Sequence, residues 1–112
     1  MTIEQRRLRA IALIDEQLSE LSRIMQQASR DYDYGVGEKR LRSWKTTTVK
    51  MITETIHPEE GEKLLRKYAN DSGSKRTQEI VEENVRLYHN FLLSVKDGLR
   101  NRPQDMFSPF IL

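Results

Sequence analysis

The chain has 112 residues, near-balanced charge (19 Lys and Arg against 17 Asp and Glu) and only 37% apolar residues, against a globular norm of roughly 45–50%. Five glycines and three prolines are too few for a sandwich of short strands or a flexible linker. The absence of cysteine excludes disulfides, thiolate metal sites and thiol nucleophiles.

A length of this order gives one domain. A 32% charged composition with both signs interspersed predicts a solvated helical surface, not the basic excess of a dedicated nucleic-acid binder. No run approaches 18 apolar residues, so no membrane helix is expected. The start of the chain lacks the apolar core of a signal peptide, and a cytoplasmic location follows as the expectation.

The first element begins at Thr2, which with Gln5 reads as a capping box. Ile11, Ile14, Leu18, Leu21, Met25, Ala28 and Tyr32 then recur at alternating spacings of 3 and 4. That period places them on one stripe of a helix over about Thr2 to Asp31. Leu8, Leu13 and Ile24 widen the stripe beyond a two-stranded seam, as in a bundle helix with several neighbours. Gly35 and Gly37 are read as closing this helix, since glycine adopts the left-handed conformation at no steric cost.

A second helix is expected from about Glu38 to Ile56, with Leu41, Trp44, Thr48 and Ile52 on its inner face. The β-branched run Thr46 to Val49 makes a short strand the alternative there. Pro58 suits the first position of a third, short helix reaching about Ala69. Leu64, Leu65 and Tyr68 are its expected buried face. A loop follows over 70–74. A fourth helix runs from about Ser74 to Asn101, stopped by Pro103, with a stripe of Val81, Tyr88, Phe91, Val95 and Leu99. The last ten residues form an apolar tail containing Phe107 and Phe110, which either folds back or is covered by a partner. The chain therefore reads as an all-α bundle over 1–102, two helices long and two shorter, antiparallel, plus a tail over 103–112.

Two helices of about 27–30 residues span roughly 40–45 Å at a rise of 1.5 Å per residue. Such lengths expose much apolar stripe. Ile11, Ile14, Leu18, Leu21, Met25, Tyr88, Phe91, Phe107 and Phe110 are accordingly the expected interface to a second copy or a partner protein.

Lys39, Arg40, Arg42, Lys45 and Lys50 surround Trp44, the only tryptophan. Its register with Leu41, Thr48 and Ile52 assigns it to the core, with lysine and arginine stems covering it. The competing reading has this basic helix contact phosphates of nucleic acid while the indole stacks on a base. A second basic stretch comprises Lys63, Arg66, Lys67, Lys75 and Arg76. Adjacent carboxylates such as Asp15 and Glu16 diverge by about 100° on a helix and do not converge on a substrate. Neither His57 nor His89 has a catalytic partner at a diagnostic spacing, and Gly35-Val36-Gly37 lacks the strand and third glycine of a phosphate loop. A non-enzymatic protein without cofactor or metal is expected.

Leu13-Ile14-Asp15-Glu16, Ser43-Trp44 followed by Thr48 and Ile52, and Tyr88-His89-Asn90-Phe91-Leu92 resemble the small helical domain that precedes TIR-like or predicted nucleotide-binding domains in prokaryotic, often defence-associated, proteins. The resemblance covers most of the chain and implies a non-catalytic scaffold, either a fragment or a stand-alone version. The chain departs from that pattern at His57-Pro58, where glycine is frequent in the family.

Overall fold

Thr2 starts the first helix, α1 (Ile3–Asp31), as its sequence predicts. Its hydroxyl accepts from the Gln5 amide at 3.1 Å, and the Gln5 side chain accepts from the Thr2 amide at 2.9 Å. These two bonds satisfy donors that the first turn of a helix leaves free. The computed structural model describes residues 2–68 and 76–109, and within them every regular element is a helix.

The end of α1 differs from expectation. Tyr32, not a glycine, takes the left-handed position at φ 50°, ψ 34°, and its amide bonds back to the carbonyls of Ala28 and Ser29. Asp33 immediately caps the next helix, α2 (Tyr34–Thr55), accepting from the Val36 amide at 3.1 Å. Gly35 and Gly37 therefore belong to the first turns of α2, four residues earlier than predicted. Gly37 serves close approach instead: a Cβ there would lie 2.8 Å from that of Ala28 on α1.

The threonine run stays helical. Thr48 is fully buried and donates to Gln17 Oε1 at 3.1 Å, while Thr46 donates to the carbonyl four residues back at 3.1 Å. Tertiary burial outweighs the weak propensity of β-branched residues.

His57 and Pro58 open α3 (Pro58–Arg66), with His57 Nδ1 accepting from the Glu59 amide at 3.0 Å. This helix folds back on α2 through Gly61, where a Cβ would meet Thr53 Oγ1 at 1.9 Å and the Val49 carbonyl at 3.2 Å. Leu64 is buried, but Leu65 and Tyr68 are 58% and 69% exposed, contrary to expectation. With only nine residues and Gly61 against α2, α3 has room for one narrow buried row. The expected helix end at Ala69 and the loop over 70–74 lie outside the described residues, as does the expected start of the next helix at Ser74.

The next helix, α4 (Thr77–Asn101), runs antiparallel to α1, since Lys96 pairs with Asp15 at 2.6 Å and Arg6 near the start of α1 meets Phe107 beyond the end of α4. With 22 residues, α2 is a third rod alongside these two. Trp44 on α2 stacks on Tyr88 of α4, and the backbones near their C-terminal ends meet where the Ser108 amide donates to the Ile56 carbonyl at 2.8 Å. Thus α2 and α4 run parallel to one another.

Pro103 ends α4 but also starts a one-turn helix, α5 (Pro103–Met106). The described part of the tail folds back: Met106 and Phe107 are buried in the same core, and Ser108 is buried as well. The molecule measures 46 × 26 × 21 Å. Its radius of gyration is 15.0 Å, longer than the roughly 13 Å that size scaling gives for this length.

Two substitutions test this packing. Gly61→Ala should destabilise the fold by about 1–3 kcal/mol despite the better helix propensity of alanine, because the new methyl overlaps Thr53 Oγ1 and crowds the Thr53 Cβ and the Val49 carbonyl of α2. Tyr32→Gly should instead stabilise it by up to about 1 kcal/mol, relieving the left-handed strain. Urea denaturation of both variants reads the opposite signs.

Candidate functional site

The predicted interface stripe divides in two. Ile14, Leu21, Tyr88, Phe91 and Phe107 are buried within the chain's own core, so the structure does not leave them for a partner. The reason is architectural: α1 faces both α2 and α4, and a widened stripe is consumed by two neighbours. Ile11, Leu18 and Met25 are only half-buried. They recur every seventh residue in the same row as Asp15, whose carboxylate holds Lys96, so this row borders α4. On α4, half-buried Val85 shares the flank of Lys96, and Leu93, one turn before Lys96, is 40% exposed. An apolar seam thus follows the outer junction of α1 and α4. Phe110 lies outside the described residues.

The basic cluster around Trp44 does not form one patch. Trp44 is 4% exposed, its ring 5.6 Å from that of Tyr88 with planes 21° apart, and its indole N–H donates to the Gln17 carbonyl at 3.0 Å. Its core assignment holds, and it offers no face to a base. At about 100° per residue the surrounding cations point three ways. Lys39, Arg42 and Lys50 share the outward face of α2, with Arg42 paired to Glu38 at 2.6 Å. Arg40 leans toward α1 and donates to Gln27 Oε1 at 2.9 Å. Lys45 turns inward, its ammonium bonded to the Lys67 carbonyl and 4.9 Å from the centre of the Tyr88 ring. Burial lowers the Lys45 pKa from the ordinary lysine value and raises that of Tyr88 above the ordinary phenol value.

Two open grooves among the described residues draw cations from more than one element. One, of about 660 Å³, lies between α1 and α2 and carries Arg23, Lys39, Arg40 and Glu20. The other, of about 540 Å³, lies between α3 and α4 and reaches α5. It gathers Lys63, Arg66 and Lys67 from α3 and its end with Arg102, over a wall of Phe91, Val95 and Met106. The first three cations form a visible sequence cluster. Arg102 joins them only through the fold, and no local signal announces it.

Among the described residues no three His, Asp or Glu side chains come together as a metal site, and no helix is long and apolar enough to cross a membrane. His57 is committed to capping α3 and His89 is exposed. No protein-family model, curated protein or solved structure matches this chain.

Tyr88 gives a pH signature. Its folded pKa is raised, so its contribution to stability is complete below the unfolded value near 10 and is lost as the pH rises through the folded value. As the pH rises above about 10 the wild type should lose more stability than Tyr88→Phe. Ultraviolet titration should show one late-ionising tyrosine that disappears in this variant.

Proposed function

We propose that the chain is a non-enzymatic helical docking module that pairs with a second copy of itself through the outer junction of α1 and α4. The observation behind this reading is the seam of Leu18, Met25, Val85 and Leu93, half-buried or exposed along two antiparallel helices of 29 and 25 residues. Joining two such faces buries the apolar row and extends the bundle by helix–helix contacts of the kind already inside it. The flanking Asp15–Lys96 pair sets a polar rim and favours a single register. In the setting that the family resemblance implies, such a cytoplasmic module is the scaffold part of a prokaryotic defence effector, holding other domains together without chemistry of its own.

Light scattering at tens of micromolar should give twice the chain mass. Leu93→Glu, on a residue already 40% exposed, should weaken the dimer about tenfold, or about 1.4 kcal/mol, with the fold unchanged by circular dichroism. A monomeric wild type at these concentrations contradicts the reading.

A second reading rests on the outward face of α2, where Lys39, Arg42 and Lys50 stand on one side with the hydroxyls of Ser43 and Thr46. This row supports contact with a phosphate backbone. Retention on DNA or RNA should then fall with salt and vanish when all three cations are changed to glutamate. Failure of the wild type to bind either polymer at low salt removes this reading.

A further inference from the structure

We propose that the groove between α3 and α4 is a binding site for a phosphate ester, a small ligand carrying at least two negative charges. Four cations, Lys63, Arg66, Lys67 and Arg102, line it, against one lining carboxylate, Glu60. They do not enter on equal terms. Lys63 is held by Glu60 at 2.9 Å and Arg66 by Glu62 at 2.7 Å. Both pairs join neighbouring turns of one helix with the cation largely exposed, and they exchange readily for a better anion, since such pairs contribute little on their own.

Lys67 and Arg102 have no carboxylate within 4.0 Å among the described residues. Both are anchored by their backbones. The Lys67 carbonyl receives the Lys45 ammonium, and the Arg102 amide donates to the Gly98 carbonyl at 2.8 Å. The Lys67 ammonium also rests 5.6 Å from the centre of the Phe91 ring. Two cations without a carboxylate partner among the described residues thus stand on opposite sides of one groove, with the Lys45 ammonium at the Lys67 carbonyl.

The wall matters as much as the charge. Phe91, Val95 and Met106 form a low-dielectric lining that strengthens the field in the groove. A volume of about 540 Å³ is within the usual small-ligand range of roughly 300–1,000 Å³. Guanidinium and ammonium donors from α3 with its end and from the α4–α5 joint suit the several acceptor oxygens of a phosphate better than a planar carboxylate. The site lies on the flank of α4 away from Leu93, so it stands or falls apart from the docking seam.

Titration of the labelled full chain with inorganic pyrophosphate, followed by amide shifts, tests the proposal. The amides of Lys63, Lys67 and Arg102 should move together and saturate below about 10 mM in low salt. Lys67→Gln with Arg102→Gln should weaken binding about tenfold. Glu60→Gln should strengthen it about two- to fivefold, by removing the competing carboxylate. Lys39→Gln with Lys50→Gln, on the outward face of α2, should change nothing. Shifts spread equally over Lys39 and Lys50, no saturation, or no gain in Glu60→Gln would overturn the assignment. A soluble sugar phosphate and vesicles bearing a phosphorylated inositol lipid then distinguish a free ester from a lipid headgroup, and binding to neither also overturns it.

Discussion

The Trp44 indole is where three helices are forced into one register. Its ring stacks on Tyr88 of α4 while its N–H is satisfied by the Gln17 carbonyl of α1. The same Gln17 accepts, through its side chain, the hydroxyl of fully buried Thr48. An unmade hydrogen bond at such a site costs about 1–3 kcal/mol. Sliding α2 by one turn would orphan both donors and unstack the rings. The polar atoms at this joint therefore select the register, and the surrounding aliphatic side chains supply most of the burial energy.

A second joint closes the opposite end. Gly98 leaves room for Met106, whose sulfur would lie 2.6 Å from any Cβ placed there. Phe107 then lies under the Arg6 guanidinium at 4.4 Å, and the Ser108 amide reaches the Ile56 carbonyl. The turn after α4 thereby ties α1, α2 and α4 together. Between these two joints the inner stripes are spent on the fold. Among the described residues, the outer row of α1 and α4 and the cation-lined grooves are left at the surface. The apolar surface for docking is narrower than the stripes alone imply, and the charged surface is divided, with Lys45 drawn inward and Arg40 tied to Gln27.

Much of the architecture was legible from local chemistry. The Thr2–Gln5 capping box, the proline at the start of α3 and the 3.6-residue period of α1 and α4 each specify their element without reference to the rest of the chain. Local chemistry is ambiguous where one signal serves two physical ends. Gly35 and Gly37 read as a helix stop, yet Gly37 is needed for contact with Ala28, and the left-handed position fell to Tyr32 at 87% exposure. The stripe of α1 specifies burial but not what buries it, so Ile14 and Leu21 looked like interface residues when α2 and α4 already cover them. The α3 groove was half legible: Lys63, Arg66 and Lys67 cluster in sequence, whereas Arg102 reaches them only after α4 has returned.

The single tryptophan makes the central joint measurable directly. Fluorescence of Trp44 with acrylamide quenching, followed through urea unfolding beside far-ultraviolet circular dichroism, reports whether the indole sits where three helices meet. The account predicts blue-shifted emission, weak quenching, and loss of both signals in one coincident transition. Emission typical of a water-exposed indole in the folded protein, or fluorescence changing while helicity persists, would contradict it.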